Sequence, residues 1–237
     1  GGSITSAKLA VDSVTTSALQ SNAVTAVKIA AGQLVKSLNG LRDDVALSAG
    51  SNVTITPSGN TLTIAGSSGW KLGGNAGTTA GADFLGTTDN QSLELKVNGV
   101  RGFRLQPGTF SPNVVGGGFS SIAAGLSAVT IGGGQENTVS SSTSTIGGGL
   151  RNSIGSGAQD ATIGGGQVNI ISNSTVAATV AGGTLNSIGT GSDYAAIGGG
   201  RFNRVSGGAA QATIGGGRNN LIEVNSTGAT IAGGTNN

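Results

Sequence analysis

This chain of 237 residues has no cysteine, methionine or histidine. Those absences exclude disulfides, Cys/His metal sites, thiol nucleophiles and histidine-based catalytic triads. Charge is scarce as well, at 9% of residues against about 25% in an average globular domain. Aromatics make up 3%. The twelve lysines and arginines are scattered and leave a net charge of only +2, which is no nucleic-acid footprint. No apolar run approaches the eighteen or so residues of a membrane helix, and no signal peptide is visible. The first residue, Gly1, is read as the start of a processed or partial segment. Low charge with 36% hydrophobic residues is not the signature of disorder.

Glycine is abundant, at 46 residues, and much of it is periodic. Between about 113 and 237, branched anchors stand at Val115, Ile131, Ile146, Ile163, Val180, Ile197, Ile214 and Ile231. Their steps are 16, 15 and then 17 five times. GGG follows each anchor, or AGG at Ala181 and Ala232. Six residues after the anchor stands Asn137, Asn152, Asn169, Asn186, Asn203, Asn220 or Asn237; the first unit has Ser121 there. Eight after it a second branched residue appears: Val139, Ile154, Ile171, Ile188, Val205 or Ile222.

Such a repeat predicts a β-solenoid, each coil stacked on the last. In the segment "ATI", alternation turns Ala and Ile inward and Thr outward. Glycine fits corners, or places where neighbouring backbones approach closely. Asparagine fits a left-handed or turn position, and stacking would align its amides in a ladder. Two branched residues and one Ala are little burial against the entropy of ordering a 17-residue coil. The expectation is therefore that sister copies complete the interior.

Two other zones precede the repeat. Over residues 3–36 apolar residues recur every five positions: Ile4, Leu9, Val14, Leu19, Val24, Ile29 and Leu34. A ten-residue unit is also visible in "SVTTSALQSN" followed by "AVTAVKIAAG". Five matches neither helix nor strand periodicity. It predicts a fibrous stalk that buries its apolar stripe only beside other copies. Residues 37–112 predict a non-repetitive β connector. Strands are expected at 45–47, 53–56 and 61–65, with a turn at Pro57-Ser58-Gly59-Asn60, and at 93–97 and 100–105, joined by Asn98-Gly99.

The TIGGG…N pattern resembles the head repeats of trimeric autotransporter adhesins, whose heads are trimeric left-handed β-rolls. The likeness is closer to bacterial and phage tail-fibre-like proteins. There "VKSLNGLRDDVALSAGSNVTITPSGNTLTIAG", then "WKLGGNAGTTAGADFLGTTDNQSLELKVNGVRGFRLQP", then GGG–N repeats come in this order. "SVTTSALQSNAVTAVKIA" resembles their decapeptide repeats. The resemblance implies an all-β, homotrimeric fibre: an intertwined N-terminal stalk, a β-hairpin region and a β-roll. It implies an extracellular place on a cell surface, a virion tail or an injection device, held by a baseplate, tail or cell-envelope anchor. It also implies use in adhesion to a glycan or protein receptor. Adhesin head repeats are shorter, near 14 residues, so a longer loop per coil is expected. A membrane anchor or C-terminal chaperone domain would lie in a longer precursor.

No catalytic residue, metal, cofactor, nucleic-acid partner or membrane insertion is expected. The GGG copies lack the Lys-Ser/Thr of a phosphate loop, and no Asp follows them as in calcium-binding rolls. Glu136, Asp160, Asp193 and Glu223 fall at different phases of the unit, unlike a glycosidase pair. The structural residues are Ile131, Ile146, Ile163, Val180, Ile197, Ile214, Ile231 and the asparagine column. Tyr194 with Arg201, Phe202 and Arg204 is the candidate binding group. Two alternatives accompany the adhesive fibre. One is a secreted solenoid that binds or acts on carbohydrate or ice, the latter through Thr130, Thr145, Thr162, Thr179, Thr213 and Thr230. The other is a spacer stalk with its binding tip elsewhere.

Overall fold

The computed structural model describes residues 4–5, 9–28, 45–66, 69 and 73–237. Ile29, Leu34 and Trp70 lie outside them. Two compact units divide at 79/80. That boundary cuts the expected connector in two, so its first hairpin belongs to the first unit and its second to the repeat.

In the first unit the ten-residue repeat is a structural unit. 3-10 turns at Thr16–Ala18 and Ala26–Lys28 are ten residues apart. Asp12 and Asn22, both left-handed at φ 62° and 67°, are spaced likewise. The same bonds recur: Ser13 N–H donates to Ala10 O, and Ala23 N–H to Gln20 O. Ile4, Leu9, Val14, Leu19 and Val24 are all exposed within the single chain. The hairpin β1 (Val53–Ser58) and β2 (Thr61–Gly66) turns on Gly59 and Asn60 alone, with Gly59 at φ 55°. Pro57 and Ser58, expected in the turn, instead extend β1; a two-stranded hairpin is all edge and tolerates a proline without N–H. The expected strand at 45–47 is absent, and nothing in the described residues pairs with it.

In the second unit β3 (Leu93–Val97) and β4 (Val100–Gln106) pair across Asn98-Gly99, at φ 49° and 74°. Both central residues are left-handed, as that dipeptide predicts. β4 also pairs antiparallel with β5 (Asn113–Gly116), the first strand of the repeat. The hairpin thus covers the edge that the first coil would otherwise leave open. Arg101 reinforces this cap by donating to the carbonyls of Gly117 and Ser120.

Beyond β5 the chain is a β-solenoid of about seven coils. From Ser121–Ile122 to Thr230–Ile231 every strand is two residues long. One parallel ladder joins the anchors, Val115↔Ile131↔Ile146 and onward to Ile231. A second joins Ile122, Val139, Ile154, Ile171, Ile188, Val205 and Ile222. Bridges at Gln135, Leu150, Gln167, Thr184, Arg201, Arg218 and Thr235 form a third column. The register shows where the irregular units differ. The first lacks one residue between its anchor and Ile122; the second lacks two between Val139 and Ile146.

The interior is filled by one chain. The anchors from Val115 to Ile214 are fully buried, and so are Ala161, Ala178 and Ala212 beside them. This corrects the expectation that sister copies complete the core. That expectation counted two branched residues and an alanine per coil and left out the hydrogen bonds. In the coil from Thr162 to Ala177, the backbone N–H groups of Thr162, Gly164, Gln167, Ile170 and Ser172 donate to carbonyls of the next coil, and those of Val168, Ser174 and Ala177 to carbonyls of the previous one. An interior amide adds more. Backbone groups satisfied in this way carry no desolvation penalty, so a thin coil can close on itself.

Candidate functional site

Asn169 shows how the asparagine column works. It is fully buried. Its N–H donates to Asn152 Oδ1 at 2.9 Å, and its own Oδ1 accepts from Asn186 N–H at 3.1 Å. Its Nδ2 donates to Gly165 O and Gly183 O, both at 2.9 Å, and approaches Asn152 Oδ1 at 3.1 Å. Asn137, Asn152, Asn186, Asn203 and Asn220 repeat the pattern. At the N-terminal end Ser120, not Ser121, occupies the column and accepts from Asn137 N–H at 3.3 Å. The one-residue deletion in that coil shifts the position.

Asparagine is not the left-handed residue. The residue before it is, with φ between 53° and 60° at Glu136, Arg151, Val168, Leu185, Phe202, Asn219 and Asn236. The reason is the amide's double duty. It must point inward to bond the glycine carbonyls of two coils, so the corner falls one residue earlier.

The third glycine is the most constrained in the regular coils, and in the first triplet the one-residue deletion moves that role to Gly117, whose Cβ would lie 2.0 Å from Gly134 O. A Cβ on Gly166 would lie 2.0 Å from Gly183 O, at φ 90°. The second has open space around it: Gly182 has nothing nearer than a carbonyl oxygen at 4.0 Å. The first is tight as well, with a Cβ on Gly164 2.3 Å from Ala181 O, yet it is not left-handed, and alanine stands there at Ala181 and Ala232.

With the interior columns fixed, the outward ones vary. Four residues after the anchor stand Gln135, Leu150, Gln167, Thr184, Arg201, Arg218 and Thr235. The left-handed corner varies from Glu136 to Phe202. Outward on the second ladder stand Ser121, Thr138, Ser153, Ile170, Ser187, Arg204 and Leu221. Arg151 and Glu136 form an exposed ion pair on this side, and the hydrogen bond from Arg151 holds the Glu136 carboxyl below its ordinary range.

The candidate binding group is split by this geometry. Arg201 stacks on Phe202, its Cζ 4.6 Å from the ring centroid. Arg204 follows on the second ladder, exposed. Tyr194 sits instead on the corner that precedes the anchor strand, at φ 59° and 63% exposed. The anchor strand and the glycine triplet lie between it and Arg201. In its place the third column sets Arg218 directly beside Arg201, a neighbour not singled out from the sequence. Both stand four residues after an anchor, so aligning the repeats by column would have shown it.

Other groups are dispersed. Thr130, Thr145, Thr162, Thr179, Thr213 and Thr230 form a single outward file interrupted by Ala196. Asp160 and Tyr194 share a corner column, while Glu136 lies on the opposite corner and Glu223 follows Ile222. A cleft of about 360 Å³ is lined by Thr87, Asp89, Gln91, Leu105 and Gln106 among others, with Asp89 the one carboxylate among its lining residues. No group of three or more acidic residues that could hold a metal occurs among the described residues, and no described helix is long and apolar enough to cross a membrane.

A search of protein-family models, characterised proteins and solved structures finds no match to this chain.

Proposed function

We propose that this chain is part of a homotrimeric fibre outside the cell, on a cell surface, phage tail or injection device, and that it attaches to a surface glycan or protein receptor. The observation that carries the reading is the contrast between fixed inner columns and variable outer ones. A scaffold that keeps its Ile, Asn and Gly positions while exchanging Gln, Leu, Thr and Arg on one face is suited to presenting a binding surface. The reading assigns the chain no catalytic step. Its resemblance to tail-fibre-like proteins and trimeric adhesin heads supports the same function.

The trimer rests on the first unit, because the solenoid core needs no partner. Leu9, Val14, Leu19 and Val24 are 47–58% exposed, and Val53, Leu62 and Ile64 on the hairpin are exposed too. An apolar residue every five positions with no cover in its own chain fits a stripe buried between copies. Sedimentation of the intact chain is expected to give three chain masses. Replacing Leu9, Val14, Leu19 and Val24 by serine is expected to give monomers that keep the solenoid's circular dichroism. A wild-type monomer at micromolar concentration would remove the trimer.

Attachment is tested separately. Intact chain applied to an array of surface glycans and extracellular proteins is expected to bind at least one of them saturably, with competition by unlabelled chain. Failure on every surface would leave the spacer reading.

A further inference from the structure

We infer that Arg201, Phe202, Arg204 and Arg218 form a subsite for an acidic polysaccharide, one bearing sulfate or carboxylate groups; this deepens the attachment reading and rests on it. The repeat holds four basic residues in all: Arg151, Arg201, Arg204 and Arg218. All four fall within the few residues after the glycine triplet. Arg151 is neutralised by Glu136. The other three are exposed, lie within two adjacent coils and belong to no ion pair among the described residues.

Arg201 and Arg218 are direct partners in a parallel ladder. Neighbouring strands lie about 4.8 Å apart, and like charges directly opposite one another are destabilising. The same column accepts neutral Gln167, Thr184 and Thr235, so the fold does not require this juxtaposition. A ligand anion between the guanidinium groups would relieve it, since their forked donors match carboxylate and sulfate.

The neighbours favour a sugar polymer as the carrier of that anion. Phe202, stacked under Arg201, is 38% exposed. Leu185 precedes it in the corner column and Leu221 follows Arg204 on the second ladder, at 38% and 40% exposed. Cations interleaved with a small apolar surface suit a pyranose ring's C–H face and its acid group together. The patch is short: Thr184 and Ser187 bound it on one side, Thr235 and Asn236 on the other. Nucleic acid would call for a longer basic track.

The repeat supplies its own conservative substitutions for the test. Glutamine occupies the column of Arg201 and Arg218 at Gln135 and Gln167, and serine that of Arg204 at Ser153 and Ser187. The intact chain and its R201Q/R204S/R218Q variant are titrated with dextran sulfate, polygalacturonate, neutral dextran and single-stranded DNA at low salt. Wild type is expected to bind at least one acidic polysaccharide, more weakly as salt rises, and to ignore neutral dextran. The triple variant, with an unchanged melting curve, is expected to bind about tenfold or more weakly. Equal binding by wild type and variant, no binding to either acidic polymer, or DNA binding as tight as polysaccharide binding would overturn the inference. Saturable wild-type binding on the receptor array that the variant retains would sink this subsite while leaving the attachment reading intact.

Discussion

Gly183→Ala is expected to destabilise the solenoid by about 3 kcal/mol or more, while Gly182→Ala, one residue earlier, costs about 1 kcal/mol or less. At Gly183 an added Cβ would sit 2.1 Å from Gly200 O, 2.7 Å from Asn186 Nδ2 and 2.9 Å from Gly200 N. None of these is the end of a flexible side chain that can swing away. Gly200 O already accepts from Thr184 N–H and from Asn186 Nδ2. Retreat of the next coil would therefore break the third column and the amide ladder together. The backbone adds its own penalty, because φ there is 89°. Gly182 has a carbonyl oxygen at 4.0 Å as its nearest neighbour and no left-handed angle, and Ala181 beside it is natural. Urea unfolding of both variants checks the contrast. In a solenoid each coil contacts only its neighbours, so hydrogen exchange should show the damage concentrated around Thr184 to Asn203. Equal losses at the two positions would mean that the close backbone approach is not what the triplet is for.

That contrast marks the limit of what could be read from sequence. The anchors, the second branched column and the inward alanines follow from strand alternation, and they are buried along the solenoid up to the last coil, where Ala229 and Ile231 are half-buried. Asn98-Gly99 likewise gives its turn directly. The triplet is different. Its sequence varies only at the first glycine, so it cannot reveal that the second has room and the third has none. The asparagine column forms the expected ladder but not at the left-handed corner, for a chemical reason. Asparagine tolerates left-handed backbone, and that tolerance suggests the corner. An amide is also one of the few side chains that can give and accept hydrogen bonds at once in a closed interior, and that second capacity decides its place. The corner then falls on Val168, Leu185 and Phe202, residues with no preference for it, because the ladder on either side fixes the backbone. Anchor spacing alone also hid which half of a short coil is shortened. Only the pairing of Ser121 with Thr138 shows that Ser120 stands in the asparagine column.

If the amide ladder is what makes each coil self-contained, Asn169→Asp should be among the most damaging single-atom exchanges in the protein, and its damage should depend on pH. In the native coil Nδ2 of Asn169 points at three oxygens: Gly165 O, Gly183 O and Asn152 Oδ1. Aspartate would set a carboxylate oxygen against them, fully buried and without a cation. Burial and the facing carbonyls both disfavour the charged form, so the folded-state pKa of the new carboxyl rises above its unfolded value of about 4. A raised acid pKa means that the folded chain binds the proton more tightly than the unfolded one. The variant's stability is then greatest below the unfolded pKa and is lost as pH climbs toward the folded pKa. At about pH 7 the expected loss is on the order of 3–5 kcal/mol. Near pH 4 part of it returns, because the protonated acid can donate to one carbonyl. Asn169→Ala separates charge from lost bonding. It leaves Asn186 N–H and Gly165 O without their partners and should cost about 2–3 kcal/mol at either pH. Asn219→Asp supplies the outer control, next to the ladder but exposed, with an expected change within about 0.5 kcal/mol. Unfolding curves at the two pH values decide the matter. A loss at Asn169→Asp that is flat with pH, or no larger than at Asn219→Asp, would show that the amides decorate the coil rather than close it. The single chain could not then be the rigid scaffold that the arginine patch requires.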